Sequence, residues 1–245
     1  MRDHPYPMVG ADSIGWLTTE QMIEVDRVMV EDLHIDVIQM MENAGRNLAG
    51  AAIDLFAPAE VTICVGSGGN GGDGLVAARH LHNAGAAVTV VLGADRDRFT
   101  PVPAHQLDIV ERMKLPIVDD VSHETDLIID ALIGFSLRGA PRGRAAVVME
   151  SIQASDAPTL SLDVPSGIDS TTGDTHGLHI HAQATLTLAL PKVGLREVDA
   201  VGELFVTDIS VPPSVYEDMR AGPAPDFSRS PIVAIERPRV LRPLR

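Results

Sequence analysis

Apolar and polar residues follow one another along this chain in blocks that predict strands and helices in alternation. Short apolar runs rich in β-branched residues are typical of buried strands. They lie at residues 61–65, 87–93, 126–132, 158–164, 184–190 and 203–209, with a shorter one at 117–118. Apolar residues at helical spacing predict helices at residues 19–33, 36–56, 75–81, 104–114 and 144–154. This alternation predicts an α/β domain whose parallel sheet is covered on both faces.

The two ends of the chain do not share this pattern. Residues 1–17 are predicted to be an irregular lead-in, and residues 212–245 form a tail rich in proline and arginine. We expect the tail to be loosely ordered or packed on a neighbouring subunit. The length of 245 residues suits one domain with its core at about residues 17–211.

The stretch from Val61 to Leu81 organises the rest of the chain. A strand-like run leads into Gly66–Gly72, in which five of seven residues are glycine, and a helix follows. A strand, a glycine turn and a helix start place free N–H groups and the positive end of a helix dipole at the sheet edge, which favours phosphate binding. The glycines fit a Gly-x-Gly-x-x-Gly pattern, which is a weak signal alone. A purely structural turn is the alternative.

Charge and composition narrow the classes of partner. The formal net charge of −15 argues against binding to nucleic acids or anionic membranes, although backbone N–H groups can still bind phosphate. The single cysteine, Cys64, lies in a predicted strand and is expected to be a core residue. No run is long and apolar enough to span a membrane, and residues 1–5 do not resemble a signal peptide. We expect a cytoplasmic protein.

Three oxygen-bearing side chains lie at the carboxyl ends of predicted strands, where ligands of parallel sheets bind. They are Asn70, Asp130 and Ser166. An amide, a carboxylate and a hydroxyl form a hard donor set of low charge, which suits an alkali cation better than zinc. Each residue also has an ordinary alternative: Asn70 in a left-handed turn, Asp130 as a helix cap, and Ser166 at a strand end.

Other polar residues near these strand ends are candidates for chemistry. Asp163 ends an interior strand, where a partly desolvated carboxylate can act as a general base; the alternative is a structural acid bonded to loop N–H groups. Asp73 is interpreted as a helix cap or a ribose contact. Lys192 is interpreted as a solvated lysine rather than a phosphate ligand. The histidines at 176, 179 and 181 are interpreted as a solvated connection.

Five sequence blocks together resemble the NAD(P)HX epimerases, the YjeF N-terminal domain family. They are GSGGNGGDGLVAARHL at 66–81, DALIGFSLRGAPRG at 130–143, LDVPSGIDSTTG at 162–173, TLTLALPKVGL at 185–195, and LTTEQMIEVDR with MMENAG at 17–45. The resemblance covers roughly residues 17–211 in the family's order. It is to the stand-alone form, because nothing here resembles the dehydratase domain of fused versions.

The resemblance implies a Rossmann-like three-layer αβα sandwich with a mostly parallel sheet, and a homodimer. It implies an isomerase that interconverts the R and S forms of hydrated NADH or NADPH, a small-molecule substrate, and supplies a separate dehydratase. Potassium would be bound through Asn70, Asp130 and Ser166, and Asp163 would be the catalytic acid/base. The implied substrate contacts are Gly69, Asn70, Gly71, Gly72, Asp73, Gly134, Phe135, Ser136, Leu137, Arg138, Gly139, Ala140 and Asp163.

Two positions depart from the family pattern. Gly69 replaces an asparagine, and Gly134-Phe135-Ser136 replaces Gly-Thr-Gly, which places an aromatic ring at the pocket. An alternative function is therefore a nucleotide-binding regulatory or scaffold protein without turnover. A conventional NAD-dependent dehydrogenase is a third hypothesis, but it requires an acid at the end of the second strand, where this chain has Gly93.

Overall fold

The structure, a computed structural model, describes residues 4–122, 124–175 and 177–237. Nine strands form a single sheet in the order β1-β9-β8-β7-β6-β5-β2-β3-β4. The strands are β1 (Met8–Gly10), β2 (Glu60–Val65), β3 (Ala87–Leu92), β4 (Ile117–Val118), β5 (Leu127–Ala131), β6 (Thr159–Leu162), β7 (Ala184–Leu188), β8 (Glu203–Thr207) and β9 (Ile232–Glu236). Every neighbouring pair is parallel except β8 and β9, so the predicted α/β class is confirmed.

Strand order reverses between β2 and β5. From β2 the chain proceeds outward through β3 to β4, and it then returns to place β5 on the other side of β2. In register, Cys64 of β2 pairs with Asp130 of β5, and Asp130 pairs with Ser161 of β6. Such a switch point opens a crevice at the carboxyl ends of the strands, where α/β proteins bind ligands.

In the part of the chain that the structure describes, six α-helices connect the strands. They are α1 (Thr19–Arg27), α2 (Val37–Phe56), α3 (Gly69–Asn83), α4 (Pro101–Arg112), α5 (Gly143–Ala154) and α6 (Pro213–Asp218). Thr18 starts α1 with a capping box, in which its side chain accepts from the Gln21 N–H and the Gln21 side chain accepts from the Thr18 N–H. A π-helical turn, Val28–Asp32, continues α1 towards α2.

The two faces of the sheet are covered by different elements. Val61, Ile63 and Val65 of β2 pack in one cluster with residues of α2, α3 and α4. Cys64, on the opposite face, packs in a second cluster with residues of α5. This alternation follows from the two-residue period of a strand. It produces the Rossmann-like three-layer αβα sandwich that was predicted.

The predictions for the two ends of the chain were wrong. Met8–Gly10 is a strand rather than an irregular lead-in, and it pairs with Ile232–Glu236, which lies in the predicted tail. The apolar run of β9 has four buried residues, so it gains more by joining the sheet than by remaining in solvent. Arg237, directly after it, donates to the carbonyls of Leu195 and Val198. The arginines at 239, 242 and 245 lie outside the described residues.

Within the described residues, no helix combines the length and the apolar character that crossing a bilayer requires.

Candidate functional site

A cavity of about 470 Å³ opens at the switch point of the sheet. One part of its lining comes from loops that follow β2, β5 and β6, including Gly68, Gly134 and Asp163. The other part comes from α1 and α2, including Asp26 and Met41. The volume is in the range of small-molecule sites, and the position is the one expected for a ligand of this fold.

The glycine turn forms the amino-terminal end of α3. Its closest approaches are structural: a Cβ on Gly66 would run into the Leu132 carbonyl, and one on Gly71 would run into the backbone of Gly66. A Cβ on Gly69, in contrast, would meet nothing within 4 Å. The departure at Gly69 therefore leaves open space at the cavity rather than relieving a clash. The helix begins at Gly69, so its first N–H groups face this space.

Asn70 has a buried side chain without a partner. Within the described part of the chain, neither its amide oxygen nor its amide nitrogen makes a hydrogen bond. A buried, unpaired amide costs roughly 1–3 kcal/mol, and such groups in folded proteins normally mark a missing ligand or water. Asn70 lies in α3 and not in a left-handed turn, so that alternative is excluded. The position of Asn70 is one at which a ligand or cation would be accepted.

Asp130 and Ser166 form a fully buried network below the cavity. Asp130 Oδ1 accepts from Ser166 Oγ at 2.6 Å, and Oδ2 accepts from the Ser166 N–H and from Ser161 Oγ, both at 2.9 Å. Ser166 Oγ in turn accepts from the Ile133 N–H at 2.9 Å. Burial raises the pKa of Asp130, and the hydrogen bonds from Ser166 and Ser161 oppose that rise. The network fixes the loop that contains Ile133 and Gly134.

Asp163 is held in a strained conformation at the cavity. Its φ is +65°, a left-handed value that costs a non-glycine residue about 1–3 kcal/mol and is concentrated at functional sites. The Phe135 N–H donates to Asp163 Oδ2 at 3.0 Å. A Cβ placed on Gly134 would lie 3.1 Å from Asp163 Oδ2 and 3.2 Å from Asn70 Oδ1. Gly134 therefore separates Asp163 from Asn70 and lets both approach the same space.

Lys192 is the partner of Asp163, and its interpretation as a solvated lysine was wrong. The side chain is fully buried and ion-paired, with Nζ contacting Asp163 Oδ1 and donating to the Leu188 carbonyl at 2.8 Å. The Phe135 ring centroid lies 6.0 Å from Nζ. A charged lysine is buried only when it is paired, and here the acid that ends β6 provides the pairing. No local sequence signal shows that partner, since it lies 29 residues away.

Two further carboxyl groups line the cavity near this pair. Burial raises the pKa of Asp73 well above its usual value, and the charges of Asp163 and Asp26 raise it further. Asp73 lies inside α3 and does not cap it, because Gly68 is the N-cap. Burial also raises the pKa of Asp26 to about 6. The sequence analysis missed Asp26, although its spacing from the buried Met22 and Met29 places an acid on the buried side of α1.

The structure brings together part of the predicted site. Of the predicted substrate residues, seven line the cavity: Gly69, Asn70, Asp73, Gly134, Phe135, Ser136 and Asp163. Six do not line it: Gly71, Gly72, Leu137, Arg138, Gly139 and Ala140. Phe135 is half-buried and packs against two core clusters, so it lines the cavity and supports its wall.

The predicted histidine connection has no structural link to this site. His179 and His181 contact each other, with ring centroids 4.6 Å apart, and neither lines the cavity. The third member, at residue 176, lies outside the described residues.

Comparison with known proteins identifies the family. The model of the family described as YjeF-related protein N-terminus matches residues 37–194. The chain belongs to the YjeF N-terminal family. The match includes the glycine turn, Asp130, Asp163 and Lys192, and it ends at Gly194.

Relatives within the YjeF N-terminal family differ in length. A protein named NAD(P)H-hydrate epimerase from Dehalogenimonas lykanthroporepellens is 45% identical over 225 residues, which cover 89% of each chain. A protein named bifunctional NAD(P)H-hydrate repair enzyme from Hyperthermus butylicus is 41% identical over 82% of this chain, which spans 39% of that relative. The crystal structure of yeast YNL200c shares the fold, with a TM-score of 0.78 at 23% identity, covering 89% of this chain and 99% of the other.

Proposed function

We propose that this YjeF N-terminal protein is an NAD(P)H-hydrate epimerase that interconverts the R and S forms of hydrated NADH and NADPH. Relatives that align over most of the chain carry that name. The observation that carries the proposal is Asp163, a carboxylate held at positive φ and paired with buried Lys192 at the wall of the cavity. A residue kept in an unfavourable conformation at a ligand cavity indicates a chemical role.

The proposed chemistry follows from the substrate. The hydroxyl-bearing carbon of the hydrated ring adjoins the ring nitrogen, whose lone pair assists cleavage of the C–O bond. Loss of the hydroxyl gives a planar iminium, and water then adds to the opposite face. Asp163 accepts or donates the proton as a general acid/base, and Lys192 and the Phe135 N–H hold its carboxylate in position. The N–H groups at the start of α3 are placed to bind phosphate.

Potassium is part of the proposal as a bound cofactor. Asn70, Asp130 and Ser166 would hold it, because an unpaired amide, a carboxylate and a hydroxyl are hard oxygen donors that suit an alkali cation. Both Asp130 oxygens are already hydrogen-bonded, which leaves Asn70 as the residue that most lacks a partner. These residues would hold the cation, which would supply a fixed positive charge to the site.

The test is an epimerisation assay on the purified R form of hydrated NADH, coupled to an S-specific dehydratase, with potassium or sodium as the only alkali cation. The proposal expects conversion faster than the spontaneous rate, and more of it in potassium. Bound nucleotide without acceleration would instead support the regulatory or scaffold alternative. Equal acceleration in the two salts would support the epimerase function and contradict the role of potassium.

Two partners and a cellular location complete the proposal. We infer a homodimer, because four exposed apolar side chains lie in the segment of α1 and α2: Ile23, Leu33, Val37 and Ile38. Light scattering of the purified chain tests it, and a monomer at micromolar concentration contradicts it. A dehydratase that consumes the S form is the functional partner, and the cytoplasm, where the nicotinamide cofactors are used, is the inferred location.

A further inference from the structure

Epimerisation through a planar iminium requires proton transfer on both faces of the ring. The hydroxyl must leave one face as water, which requires a proton donor there, and water must add to the other face, which requires a proton acceptor. Asp163 comes from the loop after β6, on the sheet side of the cavity. A single carboxylate on one side cannot reach both faces of a ring held in place.

Asp26 lies on the helical side of the same cavity. It belongs to α1, it is half-buried, and it lines the cavity together with Met22 and Met40. None of the residues that the structure describes donates a hydrogen bond to its carboxylate, and Lys192 and Asp163 are near enough to act on its charge. No hydrogen bond therefore explains why the Asp26 carboxyl group is half-buried beside methionine side chains.

The backbone around Asp26 is also irregular. The π-helical turn at Val28–Asp32 begins two residues after it. Such turns are rare, occur mostly as single turns within α-helices, and are frequently found at functional sites. The neighbouring Arg27 points away from the cavity, where it pairs with Glu24 and Asp32. The sheet-side ion pair and the helix-side carboxyl therefore face one space from two elements.

We propose that Asp26 is the second proton-transfer residue of the site, acting on the ring face opposite to the one that Asp163 serves. The inference rests on the proposed epimerase function. In one direction the Asp26 carboxyl gives its proton to the departing hydroxyl, the C–O bond breaks, and the ring-nitrogen lone pair forms the C=N bond. Water then adds to the other face, its proton passes to the Asp163 carboxylate, and the C=N electrons return to nitrogen. Proton exchange with solvent restores both groups.

The environments of the two carboxyl groups suit these different roles. Burial raises the pKa of Asp26 to about 6; the Lys192 ammonium opposes that rise and the Asp163 charge adds to it. Asp163 is ion-paired with Lys192. Asp73 is the other titratable group that faces this cluster, and burial keeps its pKa well above the usual value. The two carboxyl groups therefore differ in environment, because Asp163 has a buried cation as its partner and no described residue donates a hydrogen bond to Asp26.

Oxygen exchange tests the assignment separately from turnover. Each purified epimer is incubated in ¹⁸O-labelled water with the wild type, Asp26→Asn or Asp163→Asn, and label and configuration are followed by chromatography and mass spectrometry. We expect Asp26→Asn to epimerise at least about 100-fold more slowly than the wild type. It should still exchange the hydroxyl of one epimer with retention, and Asp163→Asn should exchange only the other. A merely structural role for Asp26 would not produce this mirror pattern.

The pH profile gives a second readout. The wild-type kcat/KM should fall about tenfold per pH unit above pH 6, since only protonated Asp26 donates, and Asp26→Asn should lack this limb. Glu20→Gln, an exposed acid on the same helix, is the matched control and should behave as the wild type.

The outcomes separate the two proposals. An Asp26→Asn variant that keeps wild-type turnover, or that exchanges both epimers or neither, overturns the assignment of Asp26 while wild-type activity upholds the epimerase. A wild type without activity overturns both. NADH binding of Asp26→Asn should match that of the wild type, and its melting temperature at neutral pH should be no lower, because the variant removes a carboxyl group whose pKa burial raises; this separates lost chemistry from lost folding.

Discussion

Two aspartates at the ends of neighbouring strands have opposite surroundings. Asp130 in β5 is fully buried below the cavity, and its two oxygens are bonded to serine hydroxyls and backbone N–H groups. Asp163, after β6, faces the cavity, has positive φ and is paired with a buried lysine. Asp130 is satisfied by several neutral donors, whereas Asp163 depends on the charge of one lysine.

In the proposed mechanism, this difference separates a group that holds the site from a group that reacts in it. Neutral hydrogen bonds around Asp130 fix loop positions and leave no oxygen turned towards substrate. The Asp163 carboxylate is fixed as firmly, but it lines the cavity and can exchange a proton there. Four substitutions test this contrast.

The largest effect is expected from Asp163→Asn. Since a positioned acid/base group contributes typically 10²–10⁴-fold, kcat should fall about 10³-fold while NADH binding stays within about threefold. Steady-state kinetics and calorimetric titration measure the two quantities. The control is Asp156→Asn, an exposed acid remote from the cavity. Undiminished turnover in Asp163→Asn would remove it from the mechanism.

Lys192→Met should have the largest effect on stability. It leaves the Asp163 carboxylate buried without its cation, so the free energy of unfolding should fall by about 3 kcal/mol. Denaturant titration measures this, and the double variant with Asp163→Asn should recover most of the loss, because it removes both charges. If the double variant is less stable than Lys192→Met, the pair is not the source of the loss.

Ser166→Ala tests the neutral network. It removes a donor from Asp130 and an acceptor from the Ile133 N–H, so the free energy of unfolding in a potassium-free buffer should fall by about 2 kcal/mol. Ser161→Ala removes a single donor to Asp130, so the free energy of unfolding should fall by about half as much as in Ser166→Ala. Equal losses in the two variants, measured by denaturant titration, would mean that Ser166 holds the loop no better than Ser161.

Asp73→Asn should give the smallest effect, a gain. Burial raises the pKa of Asp73, so the folded wild type is penalised once pH exceeds the unfolded value of 3.8, and the penalty grows until the folded pKa is passed. The variant should therefore melt about 2–4 °C above the wild type at pH 8 and at the same temperature near pH 4. Scanning calorimetry measures the melting temperatures at both pH values. A difference between variant and wild type that shrinks with rising pH would contradict a raised pKa for Asp73.

The sequence predicted the sheet and the position of the site well, because both follow from local patterns. Apolar runs located the interior strands, and of the polar residues at their ends, Asn70 and Asp163 line the cavity while Asp130 lies buried below it. The capping box that the structure shows at Thr18 is equally local, since its partner is three residues away.

The missed features depend on contacts between distant segments. Lys192 looks solvated until β6 and β7 are placed side by side, and Asp26 looks like one more surface acid until α1 is placed over the cavity. The strand at Ile232–Glu236 was hidden by the prolines and arginines around it. In each case the deciding neighbour is more than twenty residues away, and neither propensity nor spacing contains it.

The pairing of β1 with β9 also sets a schedule for synthesis. Met8–Gly10 has Ile232–Glu236 as its sheet neighbour, so the segment made early has no place to dock until more than 200 further residues have been added. At the usual rate of 5–20 residues per second, that wait is roughly 10–45 s. β8 ends at Thr207 and β9 begins at Ile232, so late in this interval the edge of β8 is exposed without its partner strand, and the rate of translation determines how long it stays exposed.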